Sequence, residues 1–148
     1  MRKKARPAAL IITASLVLAA CGGGGGGGGG GGSPAAAGSG RCPSTVRFPA
    51  SFNDHGAKPA SGGAMSITAG DFFFSPTCTT DLSSGTVVLR VHNDGQALHN
   101  VSVPSQGIDK DVAAGQAITV RIKVGSGPLV FFCKYHKTSG MYGALVPA

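Results

Sequence analysis

The chain has 148 residues and a formal charge of +7, from thirteen lysines and arginines against six acidic residues, all aspartate. Four of the basic side chains fall within the first six positions, so residues 41–148 carry nine against six, a balance of +3. Without a dense basic cluster or interleaved aromatics, nucleic acid is excluded as a partner, and these 108 residues suffice for one domain with one core.

In chain order, Arg2, Lys3, Lys4 and Arg6 form a charged start, and Ala8 to Ala20 is an apolar stretch of signal-peptide length. It ends in Leu18-Ala-Ala-Cys21, which resembles a bacterial lipobox. Residues 1–21 are therefore expected to be a lipoprotein leader, cleaved before Cys21, whose thiol then carries a diacylglycerol. The stretch is shorter than the roughly 20 apolar residues of a membrane span, so the mature protein is expected to be anchored rather than spanning. Firm anchoring takes more than one acyl chain. Eleven glycines, Gly22 to Gly32, follow, and then Ser33 to Gly40. Glycine has the most backbone entropy to lose, so residues 22–40 read as a flexible tether with a reach of roughly 25 Å. The tether is either a neutral insert or a leash that lets an anchored domain meet partners in the membrane.

Residues 41–148 are patterned as an all-β domain. Ala64 to Ala69 reads as a strand with Met65 and Ile67 on one face, and Phe72-Phe-Phe74 continues as an apolar run to the turn at Ser75-Pro76. In Thr86 to Asn93, Val87, Leu89 and Val91 share a face opposite Arg90 and His92; Asn93-Asp-Gly95 is a turn signal. Val101 and Val103 alternate up to Pro104, and Ser105 to Ala114 reads as a brief irregular turn. Ala117 to Val124 has the cleanest period of two, with Ile118, Val120, Ile122 and Val124 inward. Leu129 to Cys133 and Ala144 to Val146 complete the set. Short strands at this spacing, with Gly/Pro turns, predict a Greek-key β-sandwich or barrel.

The chemistry concentrates at the C-terminal end. Cys133, His136 and Met141 place a thiol, an imidazole and a thioether on one loop, and His99 offers a second imidazole 34 residues upstream of the cysteine. One thiolate, two imidazoles and a weak axial thioether is the donor set of a mononuclear blue-copper centre. Sulfur favours Cu(I) and imidazole accepts either state, so one site can hold both and pass single electrons. A thiolate–imidazole site also admits zinc, but structural zinc usually takes no thioether. Each residue alone has a plainer reading: a buried thiol, a surface or turn histidine, a core methionine. It is the spacing that unites them. His92 and His55 read as a half-exposed strand histidine and a turn residue, not ligands.

At these residues the sequence resembles a cupredoxin. The Cys133-x2-His136-x4-Met141 loop is similar to that of plastocyanin and pseudoazurin, His99-Asn100 resembles the family's upstream His-Asn, and Gly70-Asp-Phe-Phe-Phe-Ser-Pro76 resembles an early strand-and-turn. The resemblance runs from about Gly62 to Pro147. It implies His99, Cys133 and His136 as equatorial ligands of one copper ion, Met141 as the axial ligand, and Asn100 as the residue that ties the two ligand loops together by hydrogen-bonding backbone near the cysteine. It also supplies the strand pairing that patterning leaves open. One departure stands out: Lys134 follows the cysteine where several members carry a small or hydroxyl-bearing residue. Lys134 and Lys137 are either a solvated rim or a pair that steers an acidic redox partner.

With Cys21 assigned to lipid and Cys133 to metal, Cys42 and Cys78 remain, and an exported, oxidising compartment lets them bridge; otherwise they are two free thiols. Multicopper oxidases need His-x-His pairs, and a binuclear copper loop needs two cysteines; this chain has four histidines, no such pair, and one loop cysteine. The expectation is not an enzyme but a lipid-anchored, extracytoplasmic blue-copper protein, monomeric, carrying single electrons between redox partners at or near the membrane. The alternative is a copper handler that binds Cu(I) for storage, resistance or delivery to an oxidase.

Overall fold

Alternation in the longest strands dictates a two-layer plan, because each strand has one apolar face to cover. The computed structural model describes residues 40–62 and 64–148; the leader, Cys21 and the tether up to residue 39 lie outside the described residues. Ten strands follow: β1 (Ala57–Pro59), β2 (Ala64–Gly70), β3 (Phe73–Ser75), β4 (Cys78–Leu82), β5 (Gly85–Asn93), β6 (His99–Val103), β7 (Ile108–Val112), β8 (Ala117–Val124), β9 (Leu129–Phe132) and β10 (Tyr142–Pro147). Among the described residues no helix is long and apolar enough to cross a membrane.

The strands form a six-stranded sheet in the order β1-β4-β10-β9-β6-β7 and a four-stranded sheet in the order β3-β2-β5-β8. Both are mixed: β4 runs parallel to β1 and β10, β2 runs parallel to β5, and β5 pairs antiparallel with β8 from Gly85↔Val124 to His92↔Ala117. The faces fall as the alternation requires. Met65, Ile67, Phe74, Val87, Leu89, Val91, Val120, Ile122 and Val124 are buried between the sheets, with Val101, Val103, Phe131 and Leu145 opposite them, while Ile118 is partly buried against the same core. Each such side chain contributes about 1.5–3 kcal/mol when fully buried.

A second, smaller cluster lies on the outer face of the large sheet. Val46 packs there with Cys78, Ala144 and Val146, with Phe48 and Ala57 at its edge. Cys42 and Cys78 are bridged, their Cα atoms 5.4 Å apart. The N-terminal segment thus covers β10 and β4, which is why β10 is buried on both faces.

Three strands depart from the sequence reading. Ser105 to Ala114 is not an irregular turn. A short 3-10 turn at Pro104–Gln106 leads into β7, which pairs antiparallel with β6 from Val103↔Ile108 to His99↔Val112. Its centre is Asp109-Lys110-Asp111, so the alternation that marks half-buried strands is absent; charge is tolerated because β7 is an edge. β1 and β4 were equally invisible, being short and poor in large apolar residues. Finally, Phe72 does not continue the phenylalanine run: at φ 74° it turns the chain between β2 and β3.

Candidate metal centre

The ligand loop closes on itself through its backbone. His136 N–H donates to Cys133 C=O at 3.2 Å, Cys133 N–H donates to Met141 C=O at 3.1 Å, and Met141 N–H donates back to His136 C=O at 3.2 Å. Gly140 makes the bend, at φ 82°. The N-terminal segment clamps the outside of this loop. Asn53 N–H donates to Gly140 C=O at 3.0 Å, and its side-chain amide donates to the carbonyls of Ser139 at 2.9 Å and Phe72 at 2.8 Å.

His99 reaches the same point from the first position of β6. Its Nδ1 lies 3.2 Å from Nδ1 of His136 and 4.0 Å from Cys133 Sγ, which is 3.5 Å from His136 Nδ1. Among the described residues, this is the group of three or more His, Cys, Asp or Glu side chains whose donor atoms converge, all within 4.8 Å of one another. Such separations suit three donors around one first-row ion bound at about 2.0–2.3 Å. His99, Cys133 and Met141 are fully buried, and His136 is partly exposed. Met141 lies in the same core cluster as Cys133, and its own main chain fastens it to both Cys133 and His136.

Burial governs the protonation of the two sealed donors. Burial pushes the Cys133 thiol up from its ordinary value, while the backbone N–H groups of Tyr135, His136 and Asn100 oppose this by favouring the thiolate. Burial is also the main reason the His99 imidazole is held below its ordinary value; His136 adds to it and Asp71 opposes it. A neutral imidazole with a free lone pair is what metal coordination needs. Among the described residues His99 Nε2 has no hydrogen-bond partner, but the Asp71 carboxylate stands 3.6 Å away. A carboxylate on that side favours the Nε2–H tautomer and leaves Nδ1 bare toward the cysteine. Asp71 is fixed by the N–H groups of Gln96 and Ala97, at 3.0 and 3.4 Å. A Cβ at Gly95 would crowd the Asp71 carboxylate and lie 3.0 Å from His99 Nε2, so the glycine leaves room for this pair. Soft thiolate plus two imidazoles suits copper better than harder divalent ions. The residues present fit that ion.

The family model of the cupredoxin-like domain matches residues 47–146. The chain belongs to the cupredoxin family. Its match begins upstream of Gly62, where the sequence had offered no resemblance, so the N-terminal segment that holds the ligand loop is part of the cupredoxin domain. The fold agrees with solved structures at low identity. The metal-binding domain of the Cu(I) exporting P-type ATPase CopA from Streptococcus pneumoniae D39, solved with Cu(I), is 14% identical with a TM-score of 0.53, over 62% of this chain and 95% of that one. Reduced auracyanin from the photosynthetic bacterium Roseiflexus castenholzii is 15% identical with a TM-score of 0.50, over 60% and 99%. No curated protein matches the sequence.

In this cupredoxin His99, Cys133 and His136 come together as the sequence placed them. The two histidines set aside lie elsewhere: His92 pairs with Asp94, and His55 stacks on Phe73 at 3.7 Å between centroids. Asn100 differs from expectation. Its side chain donates to Asp109 and Asp111 rather than to the backbone of the cysteine loop, and it is the Asn100 main-chain N–H that faces the sulfur. Lys134 is ion-paired with both Asp109 and Asp111. Sequence reasoning missed Asp71, Asn53, Asp109 and Asp111. The one available signal was the Asp-x-Asp spacing, which puts two carboxylates on one face of a strand.

Proposed function

We propose that this cupredoxin is a tethered, extracytoplasmic electron carrier that uses a single type 1 copper. The observation that carries the reading is the asymmetry of the donor cluster: His99 and Cys133 are sealed from solvent while His136 reaches toward the surface. A copper ion there would supply a one-electron Cu(II)/Cu(I) couple. The protein supplies the rest. His99 and Cys133 project from strand ends of a packed sandwich, so the fold holds their spacing whichever oxidation state is present, and that keeps the reorganisation cost low. The buried Met141 and the surrounding core exclude water from the sulfur side. The His136 ring, with Phe72 edge-on at 4.8 Å and Tyr135 at 6.5 Å between centroids, forms the route outward. Phe72, Leu98 and Tyr135 are the large exposed hydrophobics among the described residues, at 43, 44 and 45% exposure. Two of them flank His136 and the third precedes His99, which suits brief docking of a redox partner through a small, largely apolar contact. The Leu18-Ala-Ala-Cys21 lipobox and the glycine tether support a lipid-anchored domain on the periplasmic or extracellular side of a bacterial membrane.

The test is a visible and electron-paramagnetic-resonance spectrum of the Cu(II)-loaded protein. An intense red-region band with narrow copper hyperfine splitting, lost and regained on reduction and reoxidation, is the expected result. A colourless protein that takes only Cu(I), and yields it to an apo-acceptor, would replace electron transfer with copper handling. That second reading draws on the likeness to an exporter's metal-binding domain solved with Cu(I). The sealed cysteine argues against it, because hand-over needs the sulfur within a partner's reach.

A further inference from the structure

The two residues between Cys133 and His136 are both fastened to one neighbouring strand. Lys134 Nζ lies 2.8 Å from Asp109 Oδ1 and 3.2 Å from Asp111 Oδ1. Tyr135 Oη donates to Asp111 Oδ2 at 2.8 Å. Asp109 and Asp111 are two apart on β7, so their carboxylates share a face, and the register sets them opposite Ser102 and Asn100 of β6. From that side Asn100 Nδ2 donates to Asp109 at 2.6 Å and to Asp111 at 2.8 Å, while the Ser102 hydroxyl donates to Asn100 Oδ1. The acidic pair therefore sits between the strand that carries His99 and the loop that carries Cys133 and His136.

An exposed ion pair by itself does little. This arrangement differs in having three separate side chains converge on two carboxylates, one of them the fully buried Asn100. Both carboxylates are held below their ordinary values, Asp109 chiefly by Lys134 and Asp111 chiefly by Asn100. Neutralising the two carboxylates ends the ion pairs with Lys134 and replaces half of the acceptor oxygens by donors, which weakens the hold on Asn100 and on both loop residues. Two carboxylates and one ammonium also leave one net negative charge beside the ligand loop, and negative charge favours Cu(II) over Cu(I).

We propose that Asp109 and Asp111 are positioning residues of the metal centre, clamping the Cys133–His136 loop to β6 and lowering the potential of the site. The clamp stands on the polypeptide alone; its effect on potential rests on the copper reading above.

The experiment is amide hydrogen exchange on the metal-free full chain, comparing wild type with D109N/D111N and with the milder Y135F. The amides of Cys133, His136 and Met141 should exchange about tenfold faster in the double variant and less so in Y135F, while β5 and β8 keep their protection. Wild-type rates in the loop, or uniform acceleration across both sheets, would overturn the clamp. Redox titration of the copper-loaded chains then reads the second half. A several-fold higher Cu(I) to Cu(II) ratio at fixed poise is expected in the double variant, and an unchanged or lower ratio would overturn the tuning. If the wild type forms no Cu(II) site at all, the copper reading fails by itself and the exchange result still decides the clamp.

Discussion

Cys133 is sealed in the core and has three main-chain N–H groups near its sulfur, so only the sulfur's chemistry changes in a serine variant of nearly the same shape. Cys133→Ser should therefore abolish the intense visible absorption of the Cu(II) form while far-ultraviolet circular dichroism stays that of the wild type. A retained band would remove Cys133 from the ligand set. Asp71 makes a subtler test. It stands on the far side of the His99 ring and makes no contact that a ligand would make. Asp71→Asn keeps the size of the side chain but removes the charge that selects the His99 tautomer. Copper affinity should fall by about 10–100-fold, measured by competition with a chelator of known strength. Met141→Leu should keep copper bound and raise the potential in voltammetry, because a lost thioether donor weakens Cu(II) more than Cu(I); an unchanged potential would take Met141 out of the axial position.

The ligand loop itself is shaped by features that no single ligand reveals. Gly140 adopts φ 82°, and a Cβ there would press within 3.1 Å of the Ser51 carbonyl and 3.2 Å of Phe52 Cα. Gly140→Ala should cost about 1–3 kcal/mol in chemical denaturation and loosen the hold of Asn53 on the loop. The acidic pair on β7 gives this region a pH dependence with a definite sign. Its folded-state values are depressed, so its contribution is complete above the ordinary aspartate value of 3.8 and disappears as pH falls through the lower folded values. Acid titration of the metal-free protein, followed through the Tyr135 ring resonances, should show the loop released in that window and D109N/D111N released throughout. The elements themselves were legible in proportion to their apolar alternation. β5 and β8, with Val87, Leu89 and Val91 against Ile118, Val120 and Ile122, could be read directly. β7, with Asp-Lys-Asp at its centre, could not, since an edge strand has no second neighbour and needs no apolar face of its own.

Across the whole molecule, the bridge between Cys42 and Cys78 closes a separation of 36 residues and fastens the N-terminal segment to β4. In the chain-entropy account a loop of this length is worth about 3–4 kcal/mol, so Cys42→Ala with Cys78→Ala should lower the thermal midpoint markedly. Because Asn53 belongs to the fastened segment, exchange protection at Met141 should fall with it; protection unchanged there would mean that the core alone holds the loop. The sequence by itself determined the all-β class, the donor types and the span of the ligand loop. Those are local properties, written in a period of two and in the fixed spacing Cys133-x2-His136-x4-Met141. Only the tertiary structure decided that Asp71 backs His99, that Asp109 and Asp111 hold the loop through Lys134 and Tyr135, and that Asn53 clamps it from outside. Each of these depends on which strands lie side by side and in what register, and a local alternation of apolar and polar residues carries no information about the partner it will meet.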